Sequence, residues 1–477
     1  MIIEKKLRMI LFMACLSAMM YGCTKKWDVR TDITDPNLQG SLFERLSQNT
    51  NLSEFNKLLV KSGYDKVLAS SKTFTVWAPD NAALANLAPE IINDSAKLNQ
   101  FIANHIALSA FSNGMATDTV VVKMLDDKNL DFTQGFISDA RIITANQYAS
   151  NGLYYVIDKP LTPKLSIWEY ILSSVGTYQQ NSFINSLSSI NIFPADSQAV
   201  NIGFPQFDNE FLKKGYDLQN EEKKFTYFVM ANDAFEAEKT KLLPYLIRGS
   251  QDSTKNLSAY YVIRDMVFEG AYTRQNLPDT LISKFGIKVP INKSDIIGEP
   301  VLLSNGIAYI MSNMDVRLED RLVTTTIQGE LPVGFSQYDK RSNTFYREKE
   351  DSLGVLFNDI MMQNHGVPLF GINYRATNLY STTYHVYWRA INDIQTNVFQ
   401  QRLRVGGTVG MDGTVTNPLA FFPYTNVELN NYNEVYIGDF TLPELRDINM
   451  TLIAANSGTN GNNTLTLDYI KLVPVIK

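Results

Sequence analysis

One order of local signals runs through this chain twice, and that repetition limits the folds open to it more than any other feature. Ser41-Leu42-Phe43-Glu44-Arg45-Leu46 is echoed by Ser166-Ile167-Trp168-Glu169-Tyr170-Ile171, an offset of 125 residues. Each reads as a helix start, with a Ser cap, Glu three positions on, and apolar spacing after it. Phe74-Thr75-Val76-Trp77 returns as Phe225-Thr226-Tyr227-Phe228, 151 residues later, and Ser150-Asn151-Gly152 as Ser304-Asn305-Gly306, 154 residues later. The offset grows between the first and second landmarks, so the second copy carries an insertion within residues 188 to 224, where Phe204, Phe207 and Phe211 fall. Two homologous modules and a separate C-terminal region suit a chain of 477 residues, roughly three domains at ~150 residues each.

Within the first copy, Phe74-Thr75-Val76-Trp77-Ala78-Pro79-Asp80-Asn81-Ala82-Ala83-Leu84 resembles the first signature of fasciclin domains. Ser150-Asn151-Gly152-Leu153-Tyr154-Tyr155-Val156-Ile157-Asp158-Lys159 is similar to the second signature, and His105 matches the central Tyr-His motif with Asn104 in place of Tyr. The resemblance spans 36–163. A more divergent copy over 164–325 has Met230 where the proline belongs, and Tyr261 or Asp265 where the His belongs. It implies two mixed helix and sheet modules that serve adhesion or extracellular interaction. By their physics these residues read as scaffold. Pro79 fixes φ, Asn81 caps the following helix, and Asn151-Gly152 supplies the positive φ angles of a tight hairpin. His105 has no nucleophile beside it and reads as a buried, hydrogen-bonded side chain rather than a catalyst.

From about Thr326 the text changes to strand-like segments with Gly406-Gly407, Asp412-Gly413 and Ser457 to Asn463 as turns. Tyr384-His385-Val386-Tyr387-Trp388-Arg389-Ala390-Ile391 and the closing Asp468-Tyr469-Ile470 strand resemble those of galactose-binding-like jelly rolls, implying an all-β, carbohydrate-binding-like sandwich over 326–477. Period 2 puts Tyr384, Val386, Trp388 and Ala390 on one face, the core. His385, Tyr387, Arg389 and Ile391 share the other face, which combines an aromatic plane, an imidazole and a guanidinium of the kind that stacks on a sugar and bonds its hydroxyls. A face merely covered by solvent or a neighbouring domain is the competing reading. Tyr374, Tyr380, Phe421, Phe422 and Tyr424, read as loop aromatics, compete for the ligand role.

The N-terminus reads as a targeting segment. Lys5, Lys6 and Arg8 precede an apolar run from Met9 to Met20, too short to span a membrane as a mature helix but suited to a secretory signal. Met20-Tyr21-Gly22-Cys23 resembles a bacterial lipobox. That implies a signal peptide over 1–22, lipidation at Cys23, and a tether over 23–35. Ordinary secretory cleavage is the alternative. The only other cysteine is Cys15, so no disulfide, thiolate nucleophile or cysteine metal site lies downstream.

Composition removes further classes. A net charge of −6 is a poor basis for neutralising phosphates, so nucleic acid is not an expected partner. His105, His365 and His385 show no zinc spacing, and no phosphate loop, dinucleotide fingerprint or Gly-x-Ser-x-Gly occurs. Asp126 to Asp131 lacks the glycine and closing Glu of a calcium loop and reads as a solvated turn. No metal, cofactor or catalytic residue is expected. The chain therefore reads as a noncatalytic cell-envelope lipoprotein, on the surface or the periplasmic face of an outer membrane. It would serve adhesion or glycan binding, beside an outer-membrane glycan uptake system and its protein partner. A structural spacer that docks to a partner protein and a glycan hydrolase are the alternatives, since carboxylate pairs are set in space, not sequence.

Overall fold

The computed structural model describes residues 38–188, 209–351, 353–409, 415–455 and 463–477. The expectations for the signal segment, Cys23, the tether, Phe204, Phe207, Asp412-Gly413 and Ser457 to Asn462 fall outside the described residues. The chain is multidomain, with mixed helix and sheet modules followed by a β-sandwich. It divides into two compact units, the first of residues 1–166, 219–223 and 302–305, the second of 167–218, 224–301 and 306–477.

In the first unit, α1 (Leu42–Ser47) opens with the expected capping box: the Ser41 N–H donates to Glu44 Oε2 at 2.7 Å and the Glu44 N–H to Ser41 Oγ at 3.3 Å. Helices α2 (Ser53–Ser62), α3 (Tyr64–Leu68) and α4 (Ser95–Ala103) bury Phe55, Leu59, Leu68, Phe101 and Ile102 in the core that α1 also faces. The sheet is seven-stranded: β1 (Phe74–Pro79), β2 (Ile106–Ala107), β3 (Val120–Lys123), β4 (Asn129–Phe132), β5 (Phe136–Ile137), β6 (Ala140–Ala149) and β7 (Gly152–Ile157), in the order β2-β1-β7-β6-β5-β4-β3. Strands β1 and β7 are parallel, Phe74 opposite Gly152. Every β1 residue is buried, as a strand covered on both faces must be.

The repeat is visible atom by atom. In the second unit β8 (Phe225–Met230) lies antiparallel to β9 (Val267–Glu269) and parallel to β10 (Gly306–Met311), with Phe225 opposite Gly306. Trp77 stacks on Tyr155 at 5.7 Å, and Phe228 stacks on Tyr309 at 5.7 Å. Thr75 Oγ1 donates to the Ser109 carbonyl as Thr226 Oγ1 donates to that of Gly270. The Trp77 N–H donates to the His105 carbonyl and the Phe228 N–H to that of Met266, each at 2.9 Å. This register makes buried Met266 the counterpart of His105 and Asp265 that of Asn104, so neither Tyr261 nor Asp265 stands in the histidine's place.

Two scaffold expectations change. Asn81 does not cap the helix after it; Asp80 accepts the Ala83 N–H at 2.7 Å locally. Asn81 reaches back to an earlier helix, accepting the Glu54 N–H at 2.9 Å and donating to the Thr50 carbonyl. Asn232 repeats the device on Gln179 and Thr177. The hairpin between β6 and β7 turns at Ser150-Asn151, and only Gly152 takes a positive φ, +146°. A Cβ on Gly152 would lie 1.9 Å from the Phe74 carbonyl oxygen, and one on Gly306 2.1 Å from that of Phe225, so glycine is demanded by close backbone approach.

The sandwich strands are β11 (Thr325–Gln328), β12 (Gly334–Phe335), β13 (Thr344–Glu350), β14 (Leu356–Met362), β15 (Gly371–Leu379), β16 (Thr383–Arg389), β17 (Phe399–Val409), β18 (Val415–Phe421), β19 (Thr425–Val427), β20 (Val435–Thr441), β21 (Arg446–Ala454), β22 (Leu465–Leu467) and β23 (Tyr469–Pro474). One sheet runs β11-β23-β16-β20, another β12-β15-β21-β17-β18 with β19 also on β17, and a third β13-β14-β22. Their inner faces share one core, including Tyr374, Tyr384, Trp388, Leu403, Met450 and Leu472. Within this unit the sandwich is bonded to the second repeat: Ser381 N–H to the Tyr245 carbonyl at 2.8 Å, Leu445 N–H to the Ile247 carbonyl at 2.7 Å, and Lys477 N–H to Tyr245 Oη at 2.7 Å.

Candidate functional site

Strand β16 alternates as its sequence predicts. Tyr384, Val386 and Trp388 are buried in the core, and His385, Tyr387 and Arg389 share the outer face. Antiparallel pairing brings Tyr387 opposite Tyr436 on β20 and Lys471 on β23. The rings of Tyr387 and Tyr436 lie 5.5 Å apart, and Lys471 Nζ sits 5.3 Å from the Tyr387 centroid. Lys471 pairs with Glu434 at 2.5 Å, and Tyr469 donates to the same carboxylate at 2.8 Å. At the other end His385 Nδ1 meets Asp439 Oδ1 at 2.6 Å, its ring edge-on to Tyr436. Burial works against ionisation of Asp439, but hydrogen bonds from His385 and Tyr436 outweigh it and hold its carboxyl below the usual range. Tyr436 is 51% exposed, which makes this strip an open aromatic surface edged by the Lys471–Glu434 ion pair at one end and the hydrogen-bonded His385–Asp439 pair at the other.

The remaining expected ligand residues are occupied elsewhere. Arg389 donates through Nε to the Tyr432 carbonyl at 2.7 Å, through Nη1 to Asp468 at 2.7 Å and through Nη2 to Asp351 at 3.0 Å, with the Phe357 ring 4.5 Å away. It is an internal tie, because the Asp468 carboxyl is pushed up to about 6 by burial and Arg389 is the cation that opposes this. Tyr374 is on β15, not a loop, and its fully buried hydroxyl donates to the Gly329 carbonyl at 2.9 Å. Tyr380 donates to the Arg321 carbonyl at 3.0 Å and is pushed up to about 12 by burial. Phe422 is core, whereas Phe421 is 45% exposed. His105 is the buried scaffold histidine expected: Nδ1–H donates to the Phe101 carbonyl at 2.7 Å, Nε2 accepts the Leu161 N–H at 2.9 Å, and burial drives it down to about 4.

Two groups of residues escape sequence reasoning. Tyr436, Lys471 and Glu434 join Tyr387 only through sheet pairing, which no local pattern announces. In the first unit the stretch read as a solvated turn contains Lys128, 5% exposed, whose Nζ is 2.7 Å from Glu221 and 3.3 Å from Ser304 Oγ. Burial raises the neighbouring Asp126 carboxyl to about 6. That turn is a charged tie holding residues 219–223 and 302–305 within the first unit, and its signal, Lys amid Asp, is the same as that of an exposed turn.

The profile of the Fasciclin domain matches residues 50–163, so the chain contains a fasciclin domain there. No curated protein matches the chain. Among solved structures, the FAS1 domain pair of the insect cell adhesion molecule fasciclin I is similar at 17% identity, covering 57% of this chain and 99% of that one, with a TM-score of 0.24. The CBM36-1 domain of a multidomain xylanase from the hindgut metagenome of Trinervitermes trinervoides matches at 15% identity over 32% of this chain and 98% of its own, TM-score 0.21. A family 35 carbohydrate binding module from Clostridium thermocellum matches at 15% identity over 32% and 99%, TM-score 0.20.

Proposed function

We propose that this protein is a noncatalytic cell-envelope lipoprotein that captures glycan on the outer face of its C-terminal sandwich. The fasciclin modules would carry that sandwich away from the membrane, beside an outer-membrane uptake system. The observation that carries the reading is the Tyr387–Tyr436 pair. Two phenol rings on neighbouring strands, with centroids 5.5 Å apart and planes inclined at 56°, give an angled aromatic surface against which one face of a sugar ring can pack. His385, Asp439, Lys471 and Glu434 around it supply donors and acceptors for hydroxyls. The Lys471–Glu434 pair balances its own charge, and the hydrogen-bonded His385–Asp439 pair offers polar atoms to sugar hydroxyls.

The test is a panel of immobilised neutral glycans incubated with the mature protein, read for both retention and new reducing ends. Retention without new ends supports binding. New reducing ends remove the noncatalytic reading, and silence on both counts favours a spacer that docks to a protein. The hydrogen bonds joining the second repeat to the sandwich within one unit favour that second reading, because they suit a load-bearing arm.

A further inference from the structure

We propose that the sandwich has a second binding surface, on the outer face of the β12-β15-β21-β17-β18 sheet, that takes a carboxylate-bearing sugar through Arg402 and Arg404. Core packing fixes which face this is. Ile372 and Tyr374 on β15, Met450 and Leu452 on β21, and Leu403 and Val405 on β17 point inward, so Asn373, Thr451, Arg402 and Arg404 share the outer side. Register aligns Asn373, Thr451, Arg404 and Phe421 in one row across four strands, with Arg402 one step along β17.

The two guanidiniums differ from other arginines of the sandwich. Arg389 and Arg347 are half-buried and each paired with carboxylates, and exposed Arg375 pairs with Asp447 at 2.8 Å. Among the described residues neither Arg402 nor Arg404 has an ion-pair partner. Both are half-buried, and the Nε of each is buried with no hydrogen-bond partner. Arg402 lies 3.9 Å from the Phe421 centroid and 4.4 Å from that of Tyr424. Arg404 donates from Nη2 to Thr451 Oγ1 at 2.7 Å, and Thr451 Oγ1 donates in turn to Asn373 Oδ1 at 2.9 Å. Burial lowers the Arg404 pKa with no carboxylate to offset it.

Desolvating a cation without an anion is costly, and ring stacking recovers only part of that cost. Two such cations on adjacent outward positions, held in place by rings and by a Thr–Asn relay, form a pre-organised receptor for an anion that the chain itself does not supply. Guanidinium favours the planar, forked acceptor of a carboxylate. The exposed Phe421 ring beside it offers an apolar plane for the sugar that carries the carboxylate. Against a chain of net charge −6 the attraction is local, which disfavours long polyanions held by charge alone. The choice of a sugar as carrier rests on the glycan reading above, whereas the anion site rests on the arginines.

Polygalacturonate is the probe for the mature protein, with free galacturonate and galactose as competitors and dextran sulfate and duplex DNA as alternative polyanions. Retention on polygalacturonate, displaced by galacturonate and not by galactose, is expected. Arg404→Gln and Arg402→Gln should each weaken it at least tenfold with the melting temperature held, and Tyr387→Ala should leave it intact. If Arg402→Gln loses its cooperative melt, Arg402→Lys replaces it; this keeps the charge, removes the fork and should still weaken binding. No retention of the parent protein, retention indifferent to the arginine variants, or equal retention on dextran sulfate and DNA with no response to galacturonate each overturns the proposal. Silence on neutral glycans with retention on polygalacturonate sinks the Tyr387 reading and leaves this one standing.

Discussion

Asn151 shows how a residue read as a turn former is in fact a junction. Its Oδ1 accepts the Leu42 N–H at 2.7 Å, and its Nδ2 donates to the Leu68 and Ser70 carbonyls at 2.8 and 2.6 Å. One amide thus satisfies the start of α1 and the end of α3, with its bonds to Leu42 and Leu68 buried and the one to Ser70 partly so. Asn151→Ala strands these backbone groups and should cost about 3 kcal/mol or more in urea unfolding of the first module, while Ser150→Ala, at an exposed position, should cost under about 1 kcal/mol. His105 gives a pH-dependent check. Its folded value of about 4 lies below the unfolded 6.5, so its contribution is complete above 6.5 and is lost as pH falls towards about 4. Asp126, raised from 3.8 to about 6, acts in the opposite sense over that range, so a bulk melt mixes the two. The His105 ring resonances separate them: they should stay in the neutral form from pH 8 down to about 5, and protonation near 6.5 would show the ring to be solvated. That His105 is scaffold was legible from its isolation among reactive residues. The roles of Asn81 and Asn151 were not, because their partners come from helices tens of residues earlier.

At the scale of the element, β16 was readable because alternation is a local property. Period 2 alone separates Trp388 from Tyr387, and the structure puts Trp388 1% exposed in the core. Trp388→Ala should therefore open a cavity costing about 3 to 5 kcal/mol and abolish the sandwich's cooperative melt, while Tyr387→Ala should keep the melt and weaken neutral-glycan retention. Arg389 marks the limit of the same reasoning. Its face is as expected, but its fate is decided by Asp351, Asp468 and the Tyr432 carbonyl, which arrive from three other segments. Arg389→Met would leave Asp468 buried without its cation. The expected result is a loss of about 3 to 5 kcal/mol in sandwich stability with no selective effect on ligand, and a variant that melts like the parent yet fails to bind would return Arg389 to the ligand site. Helix starts were equally legible, since the Ser41 and Glu44 box is four residues long. Sheet partners were not, and so Tyr436, Lys471 and the Arg402–Arg404 pair emerged only with the register.

For the whole molecule, the repeat was the most readable feature because its landmarks recur in the same order, and the matched Trp77–Tyr155 and Phe228–Tyr309 stacks are its structural form. The proposed anchoring turns on Cys23. Among the described residues no helix is long and apolar enough to cross a membrane, so attachment of the mature chain would rest on lipid at that cysteine. A single acyl chain gives only marginal binding, whereas a diacylated cysteine with a further amide-linked chain holds durably. Cys23→Ser should accordingly move the processed protein from the membrane fraction to the soluble one without changing its melting temperature, since the first helix, α1, starts only at Leu42. Glycan retention by the released protein should match that of the anchored form, because Tyr387 and Tyr436 lie in the C-terminal sandwich. If the processed variant still sediments with membranes after a salt wash, the lipid is not what holds this chain. A docking surface on the folded units would then be the anchor, which is the spacer reading.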